Sequence, residues 1–276
     1  MKGFEDIIIT KEEEVKEEDG SCGCDLPDEK DDGGKLLNKS TLDRKTVHVA
    51  FVMDHSGSMS LQKKLALDNY NEQLASLKTK AKENGIETYV TLVEFDNRII
   101  TKYENRLINE IEPEEYYWTD GMTSLNDAIF NGASLLKKSM ANDKCEDKSA
   151  LLIIMTDGDE NSSVEFAGIK GRDLIKKEIE TLEKTGDWTF TFMGANINVQ
   201  DVAVAGYGMS AGNTMSFDAN AKGFKMSGGS VQAGLDTYYS ARTRGVKSVA
   251  NFHNHNSTTT NEKPVTTNTV TEEAEE

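Results

Sequence analysis

The strongest constraint on the fold is the run "SALLIIMT" (149–156), which is apolar nearly throughout. A strand with one wet face alternates apolar and polar residues, whereas one covered on both faces does not. Such a strand belongs inside a sheet flanked by helices on either side. The neighbouring segments supply those layers. "TVHVAFVM" (46–53) reads as a second buried strand, and 61–84 places Leu61, Leu65, Tyr70, Leu74, Leu77 and Ala81 at helical spacing before Gly85, a C-cap residue. "ETYVTLVEF" (87–95) and "RIITKYE" (98–104), joined by Asp96 and Asn97, read as a hairpin whose second strand is an antiparallel edge.

The alternation continues with a helix over 123–140, the central strand, a helix near 167–185, a strand "WTFTFMG" (188–194), a short helix near 198–206, a short strand "TMSF" (214–217) and a helix near 219–242. This order predicts a doubly wound, Rossmann-like α/β domain. Its mostly parallel sheet has one antiparallel edge strand, with helices on both faces.

Composition sets the limits of that domain. Residues 1–40 carry 13 acids against 6 lysines and lack apolar periodicity, which predicts a disordered acidic arm. Residues 251–276, rich in Thr, Asn and Glu, read as a second polar and acidic tail, leaving 41–250 as the folded domain. With a net charge of −17 and no basic stripe, nucleic acid is not an expected partner. The absence of a long apolar run or hydrophobic leader predicts a soluble protein that is not secreted by the standard route and does not engage a membrane. Three cysteines, Cys22, Cys24 and Cys145, form no disulfide framework, which fits a reducing cytoplasm. Neither Cys22-x-Cys24 nor the "HNH" of His253–His255 supplies a complete metal site.

The chemistry concentrates where strands end. In doubly wound sheets ligands bind beyond the carboxyl ends of the strands. Asp54 ends the first strand in "FVMDHSGSMS", and Asp157 ends the central one in "IIMTDGDEN". Ser56 and Ser58 follow Asp54 through a turn eased by Gly57, and Thr123 in "DGMTSLNDAI" opens the preceding helix. Two carboxylates with three hydroxyls make a hard, all-oxygen set suited to Mg²⁺ or Mn²⁺ rather than zinc or copper.

Asp54-x-Ser56-x-Ser58, Thr123 and Asp157 in that order resemble the metal-ion-dependent adhesion site of von Willebrand factor A domains. The resemblance covers roughly residues 45–245. "GMTSLNDAI", "TDGDENSS" and "WTFTFMGAN" are similar to a group of stand-alone A domains of bacteria and their phages. It implies that Ser56, Ser58 and Thr123 contact the metal, that Asp54 and Asp157 act mainly through water, and that a partner's carboxylate completes the coordination. His55, Met59 and Ser60 would border the ligand surface together with Asp120 and Asp159. Relatives of this kind often accompany AAA+ ATPases or stress-response assemblies, so the expected role is a non-catalytic adaptor in the bacterial cytoplasm. The alternative is a phage structural or host-interaction protein, which would place it in the virion.

Blander accounts explain less. Ser58 or Ser60 could cap the helix that starts near Leu61, but capping leaves Thr123 and Asp157 unexplained. An EF-hand reading of "DGDENSS" fails because Ser162 and Gly168 stand where Gly and Glu are required. No nucleophile elbow or phosphate loop is present, and aspartate-phosphatase chemistry would need a second acid where Ser56 stands.

Overall fold

The computed structural model describes residues 44–253. The expected acidic arm (1–40), with Cys22 and Cys24, lies outside them, as does the expected tail from residue 254 onward, with His255. Six strands form one sheet: β1 (Lys45–Asp54), β2 (Glu87–Phe95), β3 (Ile99–Leu107), β4 (Asp147–Thr156), β5 (Trp188–Ala195) and β6 (Thr214–Phe217). Their spatial order is β3-β2-β1-β4-β5-β6, parallel throughout except for β3. The four long helices are α1 (Lys63–Asn84), α2 (Leu125–Asn142), α3 (Gly168–Glu183) and α4 (Ala221–Thr243).

Alternation along the central strands assigns the helices to faces. Val47, Val49, Phe51 and Met53 of β1, with Leu151, Ile153 and Met155 of β4, share a core with Tyr70, Leu74 and Leu77 of α1 and Val231, Leu235 and Tyr238 of α4. The intervening residues face α2, where a Cβ built on Gly132 would lie 2.8 Å from Val52 and 3.3 Å from Leu152. The absence of a side chain at Gly132 lets α2 lie this close. Lys137 of α2 reaches Glu178 of α3 at 3.0 Å, so the second face carries both helices. The doubly wound, mostly parallel architecture is therefore present, and the strand order reverses between β1 and β4.

Several local expectations change. The helix after β1 starts at Lys63, preceded by a 3-10 turn, Gly57–Leu61. Its N-cap is Gln62 without a side-chain capping bond, so neither Ser58 nor Ser60 caps it. Gly85 closes α1 in the left-handed region, φ 62°, as its sequence position predicts. The short helix near 198–206 is a π-helical turn, Gln200–Gly206.

The packed body also continues past the expected boundary at residue 250. Phe252 is fully buried against α4, where a Cβ on Gly234 would come within 2.4 Å of its ring. Its amide donates to Asn213 Oδ1, and His253 bonds to Thr191 and Ser230. A single aromatic inside a Thr- and Asn-rich segment is enough to anchor those residues. No helix among the described residues is long and apolar enough to cross a membrane.

Candidate metal centre

The β1–β4 pairing brings the ends of both strands together, because Met53 and Met155 are direct partners one and two residues before Asp54 and Asp157. Asp54 is fully buried. Its Oδ1 accepts from Ser56 N at 2.8 Å, and its Oδ2 accepts from the Thr156 hydroxyl. Ser56 and Ser58 place their hydroxyl oxygens 3.0 Å apart, and Ser58 donates to Asp157 Oδ1 at 2.6 Å. Four of the five expected ligands therefore form one hydrogen-bonded chain.

Thr123 enters from the side. A Cβ on Gly158 would lie 3.2 Å from its hydroxyl oxygen, so that hydroxyl sits against the backbone just after Asp157. The loop after β4 fixes it. Thr123 N donates to Asn161 Oδ1, while Asn161 N and Ser162 N donate to Thr123 O. Glu160 ties the same loop to α2 by accepting from Asn126 N, Ser162 N and Ser163 N. On the other side Gly57 N donates to Gly121 O at 3.1 Å, and Gly121 holds φ 64° with no room for a side chain beside Asn97.

The electrostatics are unusual for so acidic a pocket. Among the described residues no Lys, Arg or His lies within ion-pair distance of Asp54 or Asp157. Burial pushes the Asp54 carboxyl up to about 6, against the hydrogen bonds from Thr156 and Ser56 that favour its ionised form. Burial raises Asp157 as well, opposed by Ser58. No group of three or more His, Cys, Asp or Glu side chains assembles among the described residues, so a cation here depends on hydroxyl ligands. The set passes that test. Its donors are all oxygen, and the 3.0 Å between the serine hydroxyls matches the edge of an octahedron with ligands at about 2.1 Å.

The expected rim divides. Ser60 and Asp120 are exposed, and Asp159 is half-exposed and ion-paired with Arg172. His55 and Met59 are not at the surface, which corrects the expectation for both. Met59 is fully buried because the 3-10 turn directs it into the core beneath. His55 is locked inward by its amide bond to Phe95 O and by stacking on Tyr117, ring centroids 3.9 Å apart. Burial drives the imidazole down to about 4. Tyr117 in turn donates its hydroxyl to Asp54 O. Sequence reasoning missed Tyr117 and Thr156, whereas Glu160 shapes the loop as its place in "TDGDENSS" suggests. Thr156 stood next to Asp157 inside the quoted motif, the one signal that could have found it.

No family model matches the sequence, and no curated protein does either. Solved structures do resemble the fold. The pilus adhesin SpaC from Lactobacillus rhamnosus GG, in an open conformation, matches with a TM-score of 0.50 at 12% identity, over 74% of this chain and 31% of that one. The vWF domain of the type V pili tip protein Mfa5 from Porphyromonas gingivalis matches at 0.47 and 10% identity, over 74% and 97%. A mussel byssus protein, proximal thread matrix protein 1 with a zinc-occupied MIDAS motif, matches at 0.41 and 15% identity, over 74% and 46%. The chain spans less than half the length of the first and third of these. Such identities speak to the fold alone.

Proposed function

We propose that the chain is a non-catalytic, metal-dependent protein-binding domain of the von Willebrand factor A type, acting as an adaptor inside a bacterial cell. The reading is carried by one observation: two buried or half-buried carboxylates without a protein cation stand on three hydroxyls at the sheet's switch point. Ser56, Ser58 and Thr123 would hold Mg²⁺ or Mn²⁺, with Asp54 and Asp157 balancing its charge. When bound, the ion supplies a positive centre that a partner's carboxylate can complete. The chain's own residues do the positioning. Asp54 fixes the turn by accepting from Ser56 N, Asp157 orients Ser58, and Asn161 with Ser162 holds Thr123. An AAA+ ATPase or a stress-response assembly is the class of partner that the motif resemblance implies.

Capture from lysate tests this, comparing the protein in Mg²⁺, in chelator, and as Asp54→Ala. The expected result is a set of proteins retained in Mg²⁺ alone. Identical captures in all three arms sink the proposal, and Mg²⁺-dependent phosphate release abolished in Asp54→Ala would replace it with an enzyme. Fixed stoichiometry in purified virions would favour the phage structural role.

A further inference from the structure

The loops around the metal centre carry large apolar side chains that the metal reading does not use. Leu61 is 91% exposed, Val164 84% and Ile169 81%, with Met122 and Tyr116 also exposed. Each is tied to the site by chain or hydrogen bond. Leu61 ends the turn that holds Ser58, and Met122 precedes Thr123 in the loop that Gly57 N grips through Gly121 O. Tyr116 precedes Tyr117, which donates to Asp54 O. Val164 follows the loop that holds Thr123, its amide donating to Asp127 Oδ2 in the first turn of α2, and Ile169 lies in the first turn of α3 just beyond. Isolated exposed apolar residues are ordinary, but five of the nine large ones exposed among the described residues fall in these three loops or, for Ile169, one residue into the helix that follows.

The charged rim is only partly paired. Asp159 pairs with Arg172, and Arg98, which grips the buried Asp96, also comes within 3.9 Å of Asp120. The rim and the two unpaired carboxylates of the centre therefore stay net acidic, so an approaching acid depends on the ion, and what the rim adds for it is apolar contact.

We infer that the partner presents its carboxylate from a segment in which the acidic residue is flanked by large apolar side chains, seated on Leu61, Val164 and Ile169. This rests on the metal-dependent reading of the centre and adds a specificity to it. The carboxylate supplies orientation through the ion, while the flanking side chains supply the buried area that separates one acidic segment from another. Docking would remove the exposed apolar surface of Leu61 and Val164 from water, which favours binding.

The test uses the full chain and a displayed library of seven-residue peptides with a fixed central Glu and random flanks, selected in Mg²⁺. Leu, Ile, Phe and Met should be enriched on one or both sides of the Glu. The best peptide should bind the Leu61→Ser/Val164→Ser double variant at least tenfold more weakly, while calorimetry shows unchanged Mg²⁺ binding. Polar or random flanks, no enrichment at all despite measured Mg²⁺ binding, or equal affinity for the double variant overturns the inference and leaves the metal reading standing. Selection that proceeds equally in chelator or on Ser58→Ala, or a chain that binds no Mg²⁺, refutes the metal reading itself and this inference with it.

Discussion

Replacing Asp54 with Asn should stabilise the metal-free protein at neutral pH. The folded chain buries this carboxylate without a protein cation near it, and burial carries its acid from an ordinary 3.8 to about 6. The folded state thus holds the proton more tightly than the unfolded state. That contribution to stability is fully present below pH 3.8 and is lost as pH rises through 6, leaving the ionised form about 3 kcal/mol worse off. Asn carries no charge and still fits the bonding. Its Oδ1 can accept from Ser56 N, while its Nδ2 donates to Thr156 Oγ1, whose own proton can go to Gly158 O at 3.0 Å. In a domain of roughly 200 residues, 3 kcal/mol corresponds to about 6–12 °C in Tm. Thermal unfolding in chelator should show Asp54→Asn melting higher by that amount at pH 8 and level with wild type at pH 4. Saturating Mg²⁺ should then close or reverse the gap, since a hundredfold excess over Kd adds about 2.7 kcal/mol to the wild type alone. A variant less stable than wild type in chelator at pH 8, or a gap of constant size between pH 4 and 8, would refute the reasoning.

Met59→Ala should cost about 2–5 kcal/mol in urea unfolding, whereas Ser60→Ala, one residue along on the exposed side of the same turn, should stay within about 0.5 kcal/mol. Equal losses would mean that Met59 does not sit in the core. Gly132→Ala should destabilise by about 1–3 kcal/mol through overlap with Val52, and adding Val52→Ala should return part of that loss in a double-mutant cycle. Phe252→Ala should cost about 3–5 kcal/mol, and a chain ending at residue 250 should unfold at correspondingly lower denaturant, while a neutral result would restore the boundary at 250.

The fold was legible because its strands are covered on both faces, so "SALLIIMT" and "TVHVAFVM" carry their depth in plain composition. β2 and β6 fall on the residues that pattern indicates, Glu87–Phe95 and Thr214–Phe217. Of the site, the residue types at the strand ends were readable, but directions within the turn were not. A 3-10 turn sends Met59 inward while Ser58 and Ser60 stay outside, a distinction that spacing alone does not carry. His55 defeats the reading for a different reason. Its polarity signals a surface, yet Tyr117 and Trp118, more than 60 residues away, enclose it. Phe252 was hidden by composition, inside a segment of tail-like character.

The two margins of the sheet restrict how any partner can attach. β3 is largely exposed apart from Ile99, Tyr103 and Leu107 and carries Lys102, Glu104 and Arg106 with a bulge against β2, while β6 offers four residues. Charged, kinked or very short borders do not template an incoming strand. Such borders disfavour edge-to-edge stacking and strand addition, a common route by which sheet proteins capture extended peptides. On the proposed binding role, recognition falls to the loops at the carboxyl pole, which can vary their side chains without disturbing a hydrogen-bonded border.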